Sequence, residues 1–120
     1  MFRSDEQLAR ACRALCALVG LGSLWTIDGP SSRAMALLEL DGGPLSSGER
    51  IVVLAAWNIW NGSGSASLGD AIHRLDDRSL AALGALLVAV AGGAGEIDRW
   101  LALTESRLGI EGAAVPEGCR

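Results

Sequence analysis

One histidine, three cysteines and four tryptophans carry most of the chemistry open to this chain. His73 has Asp70 three residues before it and Asp76 three after it. On a helix, the first spacing brings a carboxylate close enough to orient or charge the imidazole. General acid–base catalysis also needs a cleft and a second reactive group. The sequence supplies neither. His73 therefore reads as a surface histidine beside acids, and no residue is assigned a catalytic role.

Cys12 and Cys16 stand four apart, so they face the same way on a helix. With His73 they fall one ligand short of a tetrahedral zinc set. Both lie on an apolar stripe, where cysteine packs as a small hydrophobe. Core packing is expected for the pair, with no metal and no cofactor, and Cys119 is expected to be free. A phosphate loop needs a strand before it and Lys-Ser/Thr after it. The glycines from Gly62 to Gly69 have neither, and all ten basic residues are arginine.

The stretch Trp57-Asn58-Ile59-Trp60-Asn61-Gly62 closes a run, Ile51 to Trp60, in which nine of ten residues are apolar. A helix apolar on every side is a buried, central one, and Asn-Gly stops it. Tryptophan is enriched in pockets and interfaces because a large apolar ring carries one N–H. Trp57 is expected in the core, with Trp60 nearer the surface. Asn58 is the exception in the run and needs hydrogen-bond partners, since a buried unsatisfied amide costs about 1–3 kcal/mol. It either tethers the loop after Asn61 or meets a ligand. Trp57, Asn58, Trp60 and His73 are thus the candidate set for contact with a ligand or partner.

Positioning these residues calls for helices. Asp5 to Val19 repeats apolar residues at Leu8, Cys12, Leu15, Cys16 and Val19, a helical spacing that Gly20 and Gly22 end. Ser23 to Ile27 resembles a short extended piece without a partner, and is read as loop. Asp28-Gly29-Pro30-Ser31-Ser32 opens a second helix to about Leu40, stopped by Asp41-Gly42-Gly43-Pro44. Ser46 with Glu49 is a capping box for the third, about Ser47–Trp60.

After the small polar loop Asn61 to Ser67, read as the most flexible internal segment, Leu68, Ile72 and Leu75 mark one side of a short fourth helix. Leu80, Leu83, Leu87 and Val90 mark the inward side of a fifth, capped by Asp76 or Asp77 and broken at Gly92-Gly93. Ile97, Trp100, Leu101, Thr104 and Leu108 mark one face of a sixth, whose opposite face is charged. The expected fold is all-α: a compact bundle of five to six short helices around the buried central one. Residues 1–108 form one domain, and residues 109–120 a flexible tail.

A chain of 120 residues with half its residues hydrophobic can bury a core without disulfides. The net charge of −4 excludes a basic footprint for nucleic acid. Arginine without lysine, in a Gly- and Ala-rich chain, reads as the codon bias of a GC-rich bacterial genome. The acids at Asp5 and Glu6 replace the basic start of an export signal. The uncharged, apolar run Ser79 to Gly95 has 17 residues, short of the ~20 that a membrane span needs. A cytoplasmic protein without membrane contact is expected.

The fifth helix carries Ala81, Gly84, Ala85 and Val88 on one side, smooth enough for another helix to approach. Two helices without a polar face exceed what six can cover, and a leftover apolar face signals self-association. The reading that follows is a non-enzymatic module for protein–protein contact: a regulator, adaptor or accessory subunit. Its partner is itself, as a homodimer, or another protein. The alternative is a ligand-binding or enzymatic protein with a pocket near Trp57, Asn58, Trp60 and His73.

Overall fold

Ser4 starts the first helix: its hydroxyl accepts the backbone N–H of Gln7 at 3.1 Å, satisfying one of the open donors of the first turn. This computed structural model describes residues 1–39, 45–62 and 67–109. Among them are six helices: α1 Asp5–Ala17, α2 Ser32–Glu39, α3 Ser47–Asn61, α4 Leu68–Arg74, α5 Asp77–Gly92 and α6 Ala94–Leu108. The all-α bundle expected from periodicity is the fold observed. The stops of the second helix at residues 41–44, the loop at 63–66 and the tail at 110–120, with Cys119, lie outside the described residues.

The expected terminators act as their chemistry requires. Ser46 and Glu49 form the complete capping box at the start of α3. Gly62 ends that helix at φ 73°, in the left-handed region. Ser67 accepts from the backbone of Asp70 to cap α4, and Asp76 from that of Ser79 to cap α5. Gly93 separates α5 from α6 with φ 105°, so the two helices form a tight antiparallel hairpin.

One expectation fails. The segment after α1 is not simply loop: a 3-10 turn, Gly22–Leu24, leads into two short strands, β1 Trp25–Thr26 and β2 Gly29–Pro30. They pair antiparallel, Trp25 opposite Pro30 and Thr26 opposite Gly29. The partner of the extended piece is thus the segment expected to open the second helix. That helix instead starts after Ser31, whose hydroxyl accepts from the backbone of Ala34 at 3.2 Å.

The core is organised on α1 and α3. α1 buries Ala11, Cys12, Leu15 and Cys16 and packs on α3, α5 and α6. Its Cys12 thiol donates to the carbonyl of Ala56 in α3 at 3.4 Å. α3 buries Ile51, Val52, Val53 and Ala56, while Leu54, Trp57 and Asn58 on its other side are half-buried.

Two other stripes differ from expectation. In α4 only Ala71 is buried, and Leu68 and Ile72 face outward. In α5 Leu83 is buried and Leu80 and Val90 pack on the core as expected, but Ser79, Leu86 and Ala89 join them inside and Leu87 points out. A helix lacking a polar face does not declare which side turns inward; its neighbours decide.

Polar residues fasten α6 to α1. Glu105 is buried and accepts from Nε and Nη2 of Arg10. Gln7 donates to the carbonyl of Ala94 at 3.0 Å and to the Asp98 carboxylate at 2.9 Å. Arg3 pairs with the same carboxylate at 2.6 Å.

Candidate functional site

The residues expected to meet a ligand differ in their surroundings. Trp60 packs against the core and meets the Trp25 ring edge-on, with centroids 5.7 Å apart and planes at 68°. Gly29 makes this possible. A Cβ there would stand 2.7 Å from Cζ2 of Trp60, so the β1–β2 turn can close over the indole only with glycine. Trp57 is half-buried and is not among the side chains packed on the core. Both rings are half-buried, so Trp57 is not the fully buried ring expected. Trp25, an aromatic partner far away in sequence, holds Trp60 against the core.

Asn58 is half-buried on the same helix and has a partner. His73 is exposed on α4, where Asp70 stands 4.0 Å from Arg74. Burial pushes the thiols of Cys12 and Cys16 up, Cys16 to about 12, with the Trp25 indole beside Cys16 acting the other way. Both cysteines are unpaired and stay as neutral thiols, which makes them poor nucleophiles. Among the described residues, no three His, Cys, Asp or Glu side chains are grouped so as to hold a metal ion. No helix among them is long and apolar enough to cross a membrane.

The α5–α6 hairpin presents a more distinctive surface. Ala81, Gly84, Ala85 and Val88 all lie exposed on the outer side of α5. Val88 is 73% exposed, and Leu87 beside this row 51%. Leu103 of α6 is also exposed. A Cβ added at Gly84 would meet nothing within 4 Å among the described residues.

Between the two helices runs a groove of about 400 Å³. Its lining is Leu18, Ala81, Ala82, Ala85, Trp100 and Leu103, with Arg78, Thr104 and Arg107 as the polar members. Trp100 is 6% exposed, and its indole N–H donates to the carbonyl of Ala82 at 3.0 Å. That bond fixes the ring between the helices and holds the hairpin together.

A second cleft, of about 450 Å³, opens where α3 and α5 begin. Its carboxylates, Glu49 and Asp76, are engaged as helix caps. Trp57, Asn58, Trp60 and His73 line neither opening.

Sequence reading placed Thr104 on one face of α6 with Trp100 but did not single out Arg78 or Arg107. The signal was present in outline. In an antiparallel hairpin the first turn of one helix lies beside the last turn of the next, so Arg78 and Arg107 fall at the same end. Which face of each helix points into the groove depends on the packing of Trp100.

Comparison with protein-family models, with curated proteins and with solved structures finds no match to this chain.

Proposed function

We propose that this protein is a small non-enzymatic helical module that acts through protein–protein contact and associates with itself through the outer face of α5. The observation that carries the reading is the position of Val88 and Leu87. They are exposed on a helix with no charged residue between Arg78 and Glu96. Exposed aliphatic groups on a continuous apolar face gain about 25 cal/mol per Å² when covered.

Gly84 adds weight. Mid-helix glycine costs about 1 kcal/mol relative to alanine, and nothing among the described residues occupies the space its missing side chain leaves. Close approach by a second helix gives that glycine a use. A two-fold pair is the simplest closed arrangement for a self-complementary face. An unrelated protein seated on the same face is the other outcome.

The setting that fits is a bacterial cytoplasm. All basic residues are arginine, and two unpaired buried thiols suit a reducing compartment. A ligand pocket near Trp57, Asn58, Trp60 and His73 has less support, since Trp60 turns toward Trp25 while His73 lies exposed.

Light scattering over a concentration series tests the proposal. A particle of twice 12.4 kDa is expected. Val88→Arg should return it to monomer mass with an unchanged helical circular dichroism signal. A wild-type chain that stays at monomer mass at high concentration excludes self-association.

A further inference from the structure

We propose that the groove between α5 and α6 binds a small organic carboxylate with an apolar tail. Its volume of about 400 Å³ lies within the range of small-molecule sites, which are mostly apolar with a few convergent polar groups. Trp100 and the alanines supply a flat apolar bed. Arg78, in the first turn of α5, and Arg107, in the last turn of α6, come together at one end because the hairpin is antiparallel. Thr104 lies one turn before Arg107 and also lines the groove.

The charge balance there is one-sided. Among the described residues, no carboxylate lines the groove. Arg3, Arg10, Arg74 and Arg99 each face a carboxylate within 4.0 Å. Arg107 has no ion pair or hydrogen bond among the described residues, and Arg78 reaches only the carbonyl of Leu18, at 3.5 Å. The nearby Asp76 carboxylate senses Arg78, but it is spent on capping the backbone of Ser79 at 2.7 Å.

A guanidinium presents a planar fork that matches a carboxylate through two parallel hydrogen bonds. Most of the lining is apolar, which favours an anion with a tail over a bare inorganic ion. Octanoate is a suitable probe: its head would lie at the arginine end, and its chain along Ala82, Ala85 and Trp100.

The groove borders the α5 face proposed for self-association and shares Ala81 and Ala85 with it, so the octanoate test is run on the monomer as well as on the assembled protein. The readout is the Trp100 indole signal in ¹H–¹⁵N spectra of the full chain, titrated with octanoate, 1-octanol or acetate. Octanoate should shift that signal saturably. 1-Octanol, which keeps the tail and loses the charge, should bind at least about tenfold more weakly, the value of a charged hydrogen bond. Acetate, which keeps the charge and loses the tail, should not saturate.

Arg107→Gln should weaken octanoate by about tenfold. Ala85→Leu should fill the groove and abolish the response with its helical signal retained. The Val88→Arg variant, measured as a monomer, should keep the octanoate response, which tests the groove with the α5 face uncovered. No saturable shift with octanoate, equal affinity for 1-octanol, or full affinity in Arg107→Gln would each overturn the proposal.

Discussion

The carboxylate of Glu105 accepts from Nε of Arg10 at 2.8 Å and from Nη2 at 2.5 Å. Glu105 is 1% exposed, whereas Arg10 is only partly buried. The hydrogen bonds from the guanidinium hold the charge of Glu105 inside the α1–α6 interface, and they raise the pKa of Arg10 in return.

Removing one partner of this pair is costlier than removing both. Arg10→Ala would leave a carboxylate buried without its donors, at a cost of about 2–4 kcal/mol. Arg10→Met with Glu105→Leu should recover most of that loss, because apolar groups of similar volume need no donors. Urea unfolding checks both. A loss under about 1 kcal/mol for Arg10→Ala would mean that Glu105 reaches water as a surface pair does.

Gly29→Ala should be strongly destabilising for two separate reasons. The residue sits at φ 126°, a backbone conformation open mainly to glycine, and its new Cβ would stand 2.7 Å from Trp60. The expected cost is about 3 kcal/mol. The near-ultraviolet circular dichroism of the Trp25–Trp60 pair should weaken as the ring is pushed aside. An unchanged unfolding midpoint would show that the turn does not close on Trp60.

Asp98 makes part of the stability depend on pH. Hydrogen bonds from Arg3, and then from Gln7, hold its carboxyl below the usual 3.8. Its folded pKa is lowered, so its contribution is present above the unfolded value and is lost as the pH falls through the folded one. Asp98→Asn should therefore be less stable than the parent chain at pH 7, and the difference should shrink below about pH 4. Urea midpoints at pH 7 and pH 2 test this. A difference that does not change with pH would remove the ionised carboxylate from the explanation.

Gly84→Ala should act in opposite directions on stability and assembly. Alanine raises helix propensity by about 1 kcal/mol, and the added methyl meets nothing within 4 Å among the described residues. The unfolding midpoint of the dilute chain should rise. If α5 mediates self-association, the same methyl should weaken the dimer in light scattering. A less stable dilute chain would mean that Gly84 is packed within the monomer.

Much of the helical layout was legible because its signals are local. The Ser46–Glu49 box, the Asp76 cap, and the glycines at 62 and 93 act within a few residues of themselves. Their hydrogen bonds and dihedral angles depend little on the rest of the chain. α1 was legible for a related reason: Arg10 and Arg13 interrupt its apolar spacing and reveal the stripe that buries Cys12 and Cys16.

Tertiary structure decided whatever depended on a distant partner. Within its own helix Trp57 reads as the inner ring and Trp60 as the outer one; Trp25 and Gly29, more than 25 residues earlier, hold Trp60 against the core. Glu105 counts locally as one more charge on α6, and only Arg10 of α1 makes its burial tolerable. In α5 apolar residues lie on every side, so periodicity contains no preference for burying Leu86 over exposing Leu87 and Val88. Local patterns determine where a helix begins, ends and carries polar groups. Which of its apolar faces is buried is settled by shape and partners, supplied by chain segments far apart in sequence.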